Sequence, residues 1–165
     1  MTSLDKRHLL LVIIILLSAG LIIAIDFFLL TKTSVEAPGY MREGAVYAAK
    51  KYAGSSSPMT SEEIIIKSYK YALKNSEFEM FSGKIKPTEK EFIFKNSTSI
   101  KEPRPGDIIV LREAIKAHFA VITRLDKDKV YFADTEKGNR TPDIRSYPFS
   151  SPYIEGYRRL MLYKK

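Results

Sequence analysis

A chain of 165 residues leaves room, once an apolar N-terminal stretch is set aside, for one domain of about 100–130 residues with a single modest core. There is no cysteine, which excludes disulfides, thiolate metal sites and a cysteine nucleophile. A formal net charge of +8 suits an anionic neighbour such as nucleic acid, lipid headgroups or an acidic cell wall, but the lysines are scattered and no RNA-binding motif accompanies them. The charge is therefore read as nearness to a membrane or wall, with no nucleic-acid partner.

Leu9 to Ile25 is an unbroken apolar run that resumes after Asp26 as Phe27-Phe28-Leu29-Leu30. About 22 such residues suffice to cross a hydrocarbon core of roughly 30 Å. The run is longer than the 7–15 residues of a signal-peptide core and lacks a small-x-small cleavage motif, so it predicts a single-pass transmembrane helix over 9–30 that stays attached. Lys6 and Arg7 precede it, whereas 31–39 carries one Lys and one Glu. The positive-inside bias then leaves 1–8 in the cytoplasm and the rest of the chain outside the cell membrane. Asp26 stands about one turn from the outer end and can reach the interface.

Residues 31–42 read as a spacer. Ala45, Tyr47, Ala48, Ala49 and Tyr52 have helical spacing, with Gly54 placed to close the helix in a left-handed cap. Ser55-Ser56-Ser57-Pro58 makes a loop, and Thr60 or Ser61 caps a second helix to about Lys74, Thr60-x-x-Glu63 matching a capping box and Glu62 and Glu63 suiting its N-terminus. From Asn75 to Glu102 periodicity is weak, and Glu91-Phe92-Ile93-Phe94 hints at a strand or short helix. Asn96-Ser97-Thr98 is a formal glycosylation sequon. Strands follow at Ile108–Leu111, His118–Leu125, Val130–Ala133 and Tyr157–Tyr163, with Asp126-Lys127-Asp128 turning a hairpin. The aromatic run Tyr147, Phe149, Tyr153 and Tyr157 reads as strand and loop packing on the core.

A helix first, then strands opening with Pro105-Gly106-Asp107-Ile108-Ile109-Val110 and continuing as His118-Phe119-Ala120-Val121-Ile122, Val130-Tyr131-Phe132-Ala133-Asp134 and Ile154-Glu155-Gly156-Tyr157-Arg158, resembles the NlpC-type and CHAP families of papain-like cell-wall peptidases and amidases. The likeness covers about residues 43–163. It implies an α+β fold, with helices packed on a small antiparallel sheet over 43–165, behind the transmembrane helix.

In those families a cysteine at the start of the helix is the nucleophile, its thiol pKa lowered by the helix end and a nearby imidazole. Ser61 occupies the matching position here, with Thr60 and Thr135 as lesser oxygen donors. A serine hydroxyl is a far weaker acid, and helix capping alone would explain a Ser at this place. His118 is the only histidine beyond the apolar run and matches the base. On a hairpin with a three-residue turn, Asp134 or Glu136 shares its face and could orient it, Asp134 being preferred; a two-residue turn would present Thr135 instead. Asp107 reads as structural, binding backbone at the start of a strand. A single histidine with Asp134, Glu136 or Asp143 makes a poor metal site, so no metal or cofactor is expected.

Three readings follow. The first is a membrane-anchored, catalytically silent or weakened relative of the wall hydrolases that binds wall peptide or a protein partner. The second is an active amide hydrolase with a Ser61–His118–Asp134 site. The third is a membrane-tethered assembly subunit whose sheet pairs with another protein.

Overall fold

The computed structural model describes residues 34–80, 88–113, 116–135 and 141–165. After a short strand β1 (Ser34–Glu36) comes α1 (Gly39–Ala53), which brings Met41, Ala45, Ala48, Ala49 and Ala53 to one side by helical periodicity. Small residues let it lie close to α2 (Ser61–Ala72): a Cβ on Gly44 would stand 3.2 Å from the Cβ of Ala72. The α2 capping box forms as the sequence predicts, Thr60 accepting from the Glu63 amide and Glu63 accepting from the Thr60 amide. The same device, Thr88 with Glu91, opens α3 (Glu89–Lys95), so the apolar hint around Phe92 resolves as helix.

The remaining elements are β2 (Phe78–Glu79), β3 (Ser97–Ile100), β4 (Ile108–Glu113), β5 (Lys116–Leu125), β6 (Lys129–Thr135), β7 (Pro142–Pro148) and β8 (Ile154–Lys164). All pair antiparallel, and the long β8 is the seam: β4 and then β1 lie along one edge of it, β3 and then β2 along the other. From β4 the sheet continues through β5 and β6 to β7. Consecutive residues of the middle strands bury opposite faces. Ile108, Phe119, Val121, Ala133, Leu160 and Leu162 join the helices in one core. Ile109, Leu111, Ala120, Ile122, Val130 and Phe132 form a second on the other face, packed by Tyr147, Ile154 and Tyr157.

Three expectations need correction: the fold class, the spacer and the Gly54 cap. The predicted fold, helices packed on a small antiparallel sheet behind a transmembrane helix, gives way among the described residues to one eight-stranded antiparallel sheet with three helices. The sheet is larger than expected because β1, β2 and β3 contribute three, two and four residues, too few to show alternation, and are held by pairing with β8, while the unpredicted β7 begins and ends in proline, which hides an edge strand from a pattern reading. Among the described residues none of the three helices, the longest of 15 residues, is long and apolar enough to cross a membrane. The apolar run 9–30, on which the transmembrane expectation falls, lies outside the described residues. Residues 34–42, read as spacer, carry β1 and the first turn of α1. Gly54 ends α1 with φ −89°, without the left-handed cap.

Two details of the sheet bear on function. The β5–β6 pairing slips by one residue at Thr123, between Leu125↔Val130 and Val121↔Ala133, and this bulge sets the parity that puts His118 and Asp134 on one face. At the free edge, the Phe149 amide donates to the Asp128 carbonyl in line with the β6–β7 register. By antiparallel alternation the outward positions of β7 are therefore Pro142, Ile144, Ser146 and Pro148. The prolines have no N–H, and the Ile144 amide is taken by the Asp143 carboxylate at 2.7 Å, so three of the four positions offer no donor to an added strand.

Candidate functional site

Four elements meet at one end of the sheet: the start of α2, the start of β5, the end of β6 and the middle of β7. Ser61 is the first residue of α2 and Thr60 is its cap, so the Ser61 hydroxyl is released from capping and turned to β6. It donates to Asp134 Oδ1 at 2.6 Å, accepts from the Thr135 amide at 2.8 Å and lies 2.6 Å from Thr135 Oγ1. A hydroxyl has one proton and two lone-pair directions, and all three are engaged. Ser61 is fully buried.

His118 Nε2 donates to the same Asp134 Oδ1 at 2.5 Å, while Nδ1 stands 3.6 Å from Glu62 Oε1. Asp134 Oδ2 accepts from Arg145 at 2.9 Å, and Glu62 is also paired with Lys90 at 3.7 Å. Asp134 has no exposed surface, and Glu62 and His118 are buried. Burial alone would lower the His118 pKa, but the hydrogen bonds and charges of Asp134 and Glu62 overcome it and lift it to about 9. Burial likewise pushes Asp134 upward, yet the His118 bond and charge, the Ser61 bond and the Arg145 charge bring it below the usual aspartate value. Glu62 ends below its usual value for the same kind of reason, with His118 foremost against its burial. At neutral pH the centre is an imidazolium between two carboxylates.

The sequence-predicted Ser61, His118 and Asp134 are therefore brought together, but with the aspartate between the serine and the histidine. A general base must accept the serine proton on an imidazole lone pair. Here the proton goes to Asp134, and both His118 nitrogens face carboxylates. Thr135, the weaker oxygen donor by sequence, binds Ser61 through both amide and hydroxyl. Thr60 is occupied as the cap. Glu136 lies outside the described residues. Asp143 is exposed and bonded to its neighbour's amide.

Sequence reasoning missed two members. Glu62 read only as a favourable helix-end charge, although it is the second carboxylate on His118. Arg145 carried no local signal: the β6–β7 register, which sets it opposite Phe132 two residues from Asp134, is what brings it in. Among the described residues no group of three or more His, Asp or Glu side chains is arranged to hold a metal ion.

Beside this centre runs an apolar groove of about 360 Å³, lined by Lys90, Glu91, Phe94, Lys95, Ala117 and Phe119. Lys90 links the two, donating to the Ala117 carbonyl at 2.9 Å while paired with Glu62. Comparison with protein-family models, with curated proteins and with solved structures found no match.

Proposed function

We propose that this chain is a catalytically silent, ligand-binding domain, a diverged relative of the NlpC and CHAP wall hydrolases, held outside the cell membrane by its apolar N-terminal run. The observation that carries the reading is the saturation of Ser61: its proton is committed to Asp134 and its lone pairs to Thr135. A nucleophile needs a free lone pair and a base strong enough to take its proton; both Ser61 lone pairs are engaged, and the base within reach is the Asp134 carboxylate, held below the usual aspartate value, rather than an imidazole lone pair. The polar cluster instead ties the start of α2 to β5, β6 and β7, and so fixes the wall of the adjoining groove.

That groove is the favoured ligand site. Its volume falls in the range of small-ligand pockets, its floor is apolar, and of the charged groups that line it Lys90 is paired with Glu62 and Glu91 caps α3, which leaves Lys95 to meet an anionic group. A peptide with an apolar side chain and a free carboxylate, such as a wall peptide, suits this chemistry. The assembly reading through strand addition is not favoured, because the β7 edge is largely without donors.

The test uses the full chain in mild detergent with purified cell wall. Retention on the wall is expected, weakened at least tenfold by Phe94→Ser with Lys95→Gln, and no fragment release above that of His118→Ala. Release that depends on both Ser61 and His118 would overturn the silent reading. Retention unaffected by the groove variant would overturn the groove.

A further inference from the structure

The lysines are scattered in the sequence, but the fold gathers five of them. On α1 the exposed positions Tyr40, Glu43, Tyr47 and Lys50 follow one helical stripe, with Lys51 beside it; on α2 the exposed positions are Lys67, Lys70 and Tyr71, with exposed Lys74 two residues past its end. The stripes join where Tyr47 and Tyr71 meet with ring centroids 5.9 Å apart. Tyr40 and Tyr47 keep 62% and 61% of their surface exposed and Tyr71 keeps 49%, unusual for three aromatic side chains on one side of a small domain. Glu43 is the one acid among these exposed positions, leaving a formal +4 of the chain's +8 on this face. Among the described residues these lysines have no carboxylate partner, although acids are available elsewhere: Lys90 and Lys164 are both paired.

We propose that the α1–α2 face docks on an anionic bilayer surface. Lysines near such a surface gain roughly 1 kcal/mol each from the headgroup potential, and tyrosine, with an apolar ring and a polar tip, favours the headgroup layer. Exposed tyrosines interleaved with lysines on two joined helices supply both terms at once. Chain length agrees: Tyr40 is ten residues beyond Leu30, at most about 36 Å of extended chain. That last argument rests on the membrane-tether reading; the charge and the aromatics do not.

The absence of cysteine gives the experiment its probe. Glu43→Cys in the full chain takes one environment-sensitive fluorophore on this face, and the labelled protein is reconstituted into neutral phosphatidylcholine vesicles or vesicles containing 30% phosphatidylglycerol. A blue shift is expected only with the anionic lipid and diminished at 0.5 M salt. Lys67→Gln, Lys70→Gln and Lys74→Gln together should lower the docked-to-free ratio about a hundredfold. Equal spectra in the two lipids, or a shift indifferent to the three substitutions, would overturn the proposal. So would a shift produced by soluble polyphosphate over neutral vesicles but not by anionic lipid, which would assign the face to a polymer. Resistance to alkaline extraction from neutral vesicles reports the tether separately. If the tether fails, flotation of the chain with anionic but not neutral vesicles still tests the face.

Discussion

Asp107 and Asp134 are both without exposed surface and both ion-paired, yet they are held in opposite ways. Asp107 stands at the start of β4. Its two oxygens accept from Arg159 at 2.8 and 2.7 Å, Oδ2 also accepts from the Arg104 amide, and Arg42 lies 3.8 Å away. The turn before it is locked as well: Gly106 has φ +92°, a Cβ there would stand 2.5 Å from that of Arg42, and the buried Tyr69 hydroxyl donates to its carbonyl. Every charged partner is a guanidinium that cannot give up its proton. Asp134 is held by a neutral hydroxyl, a titratable imidazole and an Arg145 side chain still 32% exposed. One carboxylate is a permanent clamp; the other belongs to a set whose charge can change.

The sharpest break in this comparison is Asp107→Asn. It leaves the largely buried Arg42 without a carboxylate and Arg159 with Glu36 alone, neither able to neutralise or easily reach water, and a loss of about 3–5 kcal/mol is expected in chemical denaturation. Asp134→Asn should cost less, about 2–3 kcal/mol, because His118 can release its proton and Arg145 can swing toward solvent. Equal losses would mean that the titratable partner brings no relief.

Solution pH separates the two centres without mutation. His118 is raised from 6.5 to about 9, so its contribution is fully present below the unfolded value and fades as pH climbs through about 9. Asp134 and Glu62 are lowered, so theirs is present above the usual carboxylate range and is lost as pH falls through their depressed folded values. Stability should peak between about pH 5 and 6.5 and drop by about 2–3 kcal/mol toward pH 9.5, after allowance for the imidazole's remaining contact with water. His118→Gln and Asp134→Asn should both flatten that alkaline limb, while Asp107→Asn should leave its slope intact. A limb that survives in His118→Gln would assign it to another group.

The comparison also marks what the sequence could and could not say. The Thr60 capping box was legible because all its atoms lie within four residues. The shared face of His118 and Asp134 was expected from a three-residue turn, but the hairpin closes on Lys127 and Asp128 alone, a turn that by itself would present Thr135; the Thr123 bulge, which left no mark in the sequence, restores the parity. The backbone role of Asp107 was legible from Pro105-Gly106-Asp107, and the structure bears it out through the Arg104 amide. Its clamp was not, since Arg159 is 52 residues away and arrives only through the β4–β8 register, which pairs Ile108 with Arg158. The order of atoms within the Ser61 centre was equally hidden: the same three residues compose a triad or its inert permutation, and only the backbone positions decide. Asn96 shows the limit of a local pattern, because its buried side-chain amide already donates to the Phe92 carbonyl and is closed to glycosylation in the folded chain.

The smallest expected effect tests whether Ser61 belongs to the Asp134 centre as a structural member. Ser61→Ala removes one of three donors from Asp134, which keeps His118 and Arg145, and leaves the buried Thr135 amide without its acceptor. Losing one neutral partner in such a site costs about 1–2 kcal/mol, and α2 should keep its start because Thr60 is the cap. The alkaline limb should persist in this variant, since the His118–Asp134 pair is untouched. A flattened limb would mean that the serine proton helps hold the imidazolium. A loss near that of Asp134→Asn would mean that the hydroxyl, rather than the ion pair, joins α2 to the sheet.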